Sequence, residues 1–154
     1  RVWEVLGPRF TVPDTYLVAA DGRRVLALPG CGLTITLANS YSVADSCGTI
    51  VYPDGLRQLR VPAWSRVTLE IPGWTITSWT GSCGEIRADP SFGEVFSVIG
   101  NCFLGGYTVP DGASPPAPAQ FLVRPGEHVL QLPLNARRGG DRYDVTMYAR
   151  VAGE

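Results

Sequence analysis

Tyr143-Asp144-Val145-Thr146-Met147-Tyr148-Ala149-Arg150-Val151 is the stretch that decides the fold class. Side chains alternate across an extended chain, so Tyr143, Val145, Met147, Ala149 and Val151 share one face. Asp144, Thr146, Tyr148 and Arg150 share the other, the pattern of a strand with one side in a core and one in water. Val67, Leu69 and Ile71 alternate with Arg66, Thr68 and Glu70 in the same way, and Leu33, Ile35 and Leu37 alternate with Thr34 and Thr36. No segment of helical length carries a 3.6-residue period, and proline or glycine interrupts nearly every candidate.

Turn chemistry agrees. Asp21-Gly22, Asp54-Gly55 and Asp111-Gly112 are dipeptides that supply the positive φ of tight turns. The 18 glycines and 13 prolines are scattered between apolar runs and form no linker. Three runs, Val25–Pro29, Val67–Pro72 and Val129–Pro133, follow a polar turn and end on proline. Gly32–Thr36 parallels Gly73–Thr77; the spacing is irregular, which leaves an old duplication or the recurring grammar of strands. The expected fold is all-β, an antiparallel, jelly-roll-like β-sandwich of about a dozen short strands. Gly112–Ala119, with Pro115, Pro116 and Pro118, is expected to be an exposed crossover loop.

A chain of 154 residues suits one domain. The boundaries read as an N-terminal strand and hinge over 1–8 and a single β-sandwich domain over 9–154. Net charge is −1 with no basic patch, which argues against nucleic acid as a partner. No apolar run is long enough to span a membrane. All 13 basic residues are arginine. The chain starts at Arg1 without an initiator Met, a charged n-region or an apolar h-region, so a signal peptide, if one existed, has already been removed.

Four cysteines, Cys31, Cys47, Cys83 and Cys102, are even in number and form no C-x-x-C pair, so disulfides are favoured over zinc. Of three connectivities the sequential one, Cys31–Cys47 and Cys83–Cys102, suits the matching Ser-Val dipeptides at Ser42 and Ser97. A disulfide-stapled fold implies an extracellular or cell-surface location.

Chemistry-bearing motifs are absent from the sequence. His128 is the only histidine, lies in a strand-like run, and has no nucleophile elbow to serve. Acids are spread singly, against the paired carboxylates of glycosidases. The nearest approach to a calcium loop, Asp141–Asp144, is interrupted by Arg142. No phosphate-cradling glycine motif occurs. The sequence therefore predicts no catalytic residues, no metal and no cofactor.

Two features point to binding. Trp64 lies in a turn where a core role is unnatural, and Trp79 has the opposite parity to Ile76, so Trp64 and Trp79 form a candidate ligand platform. Val2, Trp3, Val5 and Leu6 make an apolar strand at a chain end, followed by Gly7-Pro8. Such a strand either completes its own sheet or is donated to a neighbour. The leading expectation is a structural or adhesive surface module, a filament or pilus-like subunit whose partners are other copies of itself. The alternative is a carbohydrate- or protein-binding sandwich using exposed tryptophans, with surface glycans as partners. A carboxylate hydrolase, or an inhibitor acting through Gly112–Ala119, forms the third class.

Overall fold

The computed structural model describes residues 9–11, 13–28, 34–36, 57–89, 93–98, 105–110 and 112–154. Among them are twelve strands and no helix. The first six are β1 (Arg9–Thr11), β2 (Thr15–Ala19), β3 (Arg24–Leu28), β4 (Thr34–Thr36), β5 (Gln58–Val61) and β6 (Arg66–Glu70). The others are β7 (Thr75–Asp89), β8 (Gly93–Val98), β9 (Gly105–Thr108), β10 (Gln120–Leu122), β11 (Gly126–Arg138) and β12 (Asp141–Gly153).

β1 and β4 form a two-stranded ribbon; the other strands form two sheets, ordered β10-β6-β2-β3 and β5-β12-β11-β7-β8. Long β7 holds two partners on one edge, β9 along Ser78–Gly81 and β8 along Gly84–Asp89. The sheets pack together as a β-sandwich-like, all-β fold. Leu17, Val67, Leu69 and Phe121 come inward from the first sheet, and Leu130, Leu132, Leu134, Met147 and Val151 from the second. Full burial of each such side chain contributes about 1.5–3 kcal/mol. The alternation at Tyr143–Val151 is realised: Tyr143, Val145, Met147, Ala149 and Val151 are all buried.

Four expectations change. The sheets are not wholly antiparallel, because β5 runs parallel to β12 from Gln58↔Arg150 to Val61↔Gly153. The chain leaves β5 by a sharp corner into the other sheet. A parallel neighbour needs a long connection, and β6 through β11 supply it.

The strands are not all short: β7, β11 and β12 run to 15, 13 and 13 residues. Pro133, read as a strand end, lies inside β11 opposite Thr146. Toward β7 the ladder passes from Gln131↔Ser82 to Leu134↔Trp79, leaving Leu132 and Pro133 unmatched. Proline has no N–H to give, so one ladder gives way there while the other continues.

Third, Tyr148 is buried, although its parity points away from the core. Its hydroxyl accepts a hydrogen bond from Gln131 Nε2 at 3.1 Å.

Fourth, the period of β7 breaks. Ile76 pairs with Ala136 and Ser78 with Asn135, so Thr77 is an extra residue. A bulge of this kind shifts the face of everything after it. Ile76 and Trp79, of opposite parity, both enter the core.

Gly112–Ala119 does connect the sheets, from β9 to β10, and is mostly exposed. Cys83 is buried and disulfide-bonded. Cys31, Cys47 and Cys102 lie outside the described residues. Val2, Trp3, Val5 and Leu6, with the whole of 1–8, also lie outside them. No helix among the described residues is long and apolar enough to cross a membrane.

Candidate binding groove

Pro62-Ala63-Trp64-Ser65 turns the chain from β5 in one sheet to β6 in the other. Ser65 donates to the Pro62 carbonyl twice, from its backbone N (3.1 Å) and its Oγ (2.6 Å). Trp64, at the third position, has φ +66°. That left-handed conformation belongs to glycine or asparagine, and a bulky L-residue held there costs roughly 1–2 kcal/mol. The surroundings enforce it. Ala63 N–H donates to the Glu154 carbonyl (2.9 Å) and Trp64 N–H to the Val123 carbonyl (2.6 Å). Val123 N–H in return donates to Ser65 O (2.9 Å), and Glu154 N–H to Val61 O (2.8 Å). Two separate segments thus clamp the turn.

The indole recovers little of this by packing, because Trp64 is 59% exposed. Trp64 and Leu122, at 46%, are the exposed large hydrophobics among the described residues, and both line one groove of about 460 Å³. Phe121 lies beneath, its ring 6.5 Å from that of Trp79. Leu122 stands opposite Arg66 across the β10–β6 ladder. Gln120 stands opposite Thr68, and its Nε2 donates to Thr68 Oγ1 at 3.0 Å.

Arg66 and Arg124 also line the groove, and no carboxylate among the described residues does. Neither arginine has an ion-pair partner among those residues. Glu70 and Glu154 are engaged elsewhere, by Arg24 (2.6 Å) and Arg60 (2.9 Å). The backbone around Arg124 is pinned by His128, whose Nε2 lies 2.9 Å from the Arg124 carbonyl and donates to it when protonated. That contact gives the single histidine a structural partner.

Two other depressions differ in character. A cleft of about 470 Å³ opens between the Pro115–Ala119 loop and Trp74, Tyr107 and Ile71. Its aromatics are committed: Arg138 stacks 4.7 Å from the Trp74 ring centroid, and Tyr107 donates to the Ile76 carbonyl at 3.2 Å. A smaller one of about 240 Å³ holds Ser78, Thr80, Asn135, Asp144 and Thr146 beside the Pro133 ladder gap. Burial pushes the Asp144 carboxyl up, with Arg142 pulling it partly back. Asp144 is the single carboxylate lining it among the described residues, whereas glycosidic cleavage uses two. No group of three or more His, Cys, Asp or Glu able to hold a metal occurs among the described residues.

The expected Trp64–Trp79 platform is therefore not formed. Trp64 is a surface residue, and Trp79, 4% exposed, is part of the core between Tyr107 and Phe121. Arg66, Leu122 and Arg124 were not singled out from the sequence. Leu122 carried a signal, being apolar at the outward parity between inward Phe121 and Val123. No family model matches the chain, and no curated protein does.

Proposed function

We propose that this chain is an extracellular adhesive β-sandwich module that binds a saccharide in the Trp64 groove. One observation carries the reading: an exposed indole is held in a backbone conformation that disfavours it. Backbone strain persists where surrounding structure over-determines it, and it concentrates at ligand sites. An exposed aromatic face beside hydrogen-bonding side chains is the arrangement on which a sugar ring stacks. The even cysteine set supports the extracellular location, and the Cys31–Cys47 and Cys83–Cys102 pairing belongs to the same proposal.

Calorimetric titration with neutral and acidic hexasaccharides tests it. At least one should bind, and Trp64→Gly should weaken that binding by roughly tenfold or more, the equivalent of about 1.4 kcal/mol. Saccharide affinity that is unchanged in Trp64→Gly would remove the groove from the reading.

A second reading, self-assembly through donation of Val2–Leu6, draws support from β10. This strand ends its sheet and pairs only with β6 among the described residues, so a further strand has an edge to join. Light scattering on the full chain and on a chain lacking residues 1–6 separates the two readings. Assembly lost on deletion supports strand donation; a full chain that stays monomeric at high concentration excludes it.

A further inference from the structure

We infer that the saccharide bound at Trp64 is acidic, its carboxylate or sulfate groups held by Arg66 and Arg124; this rests on the reading of the groove as a saccharide site. Arg66 and Arg124 both line the groove without an ion-pair partner among the described residues, and no described carboxylate shares it with them. On a chain of net charge −1 this is a local surplus of positive charge. The planar guanidinium fork matches carboxylate and sulfate oxygens in bidentate fashion, so it discriminates by geometry as well as charge.

The remaining chemistry suits a sugar. Trp64 offers an exposed aromatic ring on a clamped backbone, and Gln120, its Nε2 tied to Thr68, keeps Oε1 to accept a hydroxyl. A protein partner fits less well. A stable interface covers about 800 Å² of each partner around an apolar centre. Here the exposed large hydrophobics among the described residues are Trp64 and Leu122 alone. The groove's volume of about 460 Å³ falls instead within the range of small-ligand sites.

Calorimetry with five probes tests the inference: hexagalacturonate, its fully methyl-esterified form, a heparin-derived hexasaccharide, cellohexaose and hexaglutamate. The esterified form keeps the sugar backbone and loses the charge. An acidic hexasaccharide should bind roughly tenfold or more tightly than the esterified and neutral ones, and 0.5 M NaCl should erase most of that gap. Arg66→Gln and Arg124→Gln should each narrow it while leaving the melting temperature unchanged. Preference for hexagalacturonate assigns carboxylate alone; preference for the heparin fragment, which carries carboxylates as well, adds sulfate to them. Hexagalacturonate and the heparin fragment both binding no tighter than the ester and cellohexaose, with binding still lost in Trp64→Gly, overturns the acidic inference and leaves the saccharide reading standing. Binding of no saccharide overturns both. Hexaglutamate binding as tightly as the acidic sugars overturns the saccharide class in favour of an acidic peptide.

Discussion

Trp79 and Trp64 are the same residue put to opposite uses. Trp79 is wedged between the sheets, edge-on to Tyr107 with ring centroids 6.2 Å apart. Its Nε1 is buried without a hydrogen-bond partner, a cost of about 1–3 kcal/mol that the surrounding packing offsets. Trp64 shows the reverse balance: its amide is hydrogen-bonded, its ring is in water, and its backbone is strained. One site spends polar satisfaction to gain packing, and the other spends backbone comfort to present a ring. Local geometry, bulge or turn, decides which.

Breaking the Trp79 side should have the largest effect. Trp79→Ala is expected to cost about 3–5 kcal/mol, read as a lower urea midpoint.

Gly106 tests how closely β9 must approach. Its φ is +155°, and a Cβ there would meet the Trp79 carbonyl oxygen and come within 2.9 Å of Thr80 Cα. Both are backbone atoms with little room to yield. Gly106→Ala should therefore cost about 1–3 kcal/mol by thermal or urea unfolding.

On the Trp64 side the sign inverts. Trp64→Gly relieves the left-handed strain and should stabilise by up to about 1 kcal/mol, after the greater entropy of glycine in the unfolded chain is subtracted. Trp64→Ala relieves nothing and removes an exposed ring, so it should stay within about 0.5 kcal/mol of the parent. A pair of variants that both destabilise strongly would mean the indole is a packing residue.

The last expected effect is seen in alkali. Burial pushes the Tyr143 hydroxyl well above its ordinary 10.0; the Asp14 carboxylate adds to this, and Thr15 only partly offsets it. Burial also raises Tyr107. Between the ordinary and the raised value the folded chain holds a proton that the unfolded chain has lost, so stability falls as pH rises past about 10. Urea midpoints measured from pH 8 to 11 should decline, and Tyr143→Phe should flatten the decline.

Much of the fold was legible. The alternation at Tyr143–Val151 and Val67–Ile71, Asp21-Gly22 as the β2–β3 turn and the crossover at Gly112–Ala119 all follow from period and turn chemistry. The parity argument failed at Trp79 because it assumes an unbroken period, and Thr77 inserts a residue that has no counterpart in the β11 register. Pro133 misled because a proline stops a strand only where its missing N–H faces a partner, and β11 has two neighbours. Trp64 was legible as a turn residue; its left-handed φ was not, because Trp is among the residues least expected there.

The sequence by itself determined the all-β class, the main core-facing residues and the surface position of Trp64, since these depend on periods and turns within a few residues. Tertiary structure alone decided that Leu122 and Arg124 meet Trp64 and Arg66 in one groove. It also decided that β5 lies parallel to β12 and that Trp79 is buried. Those outcomes join segments tens of residues apart, and no local pattern of side chains encodes which distant backbone groups will pair.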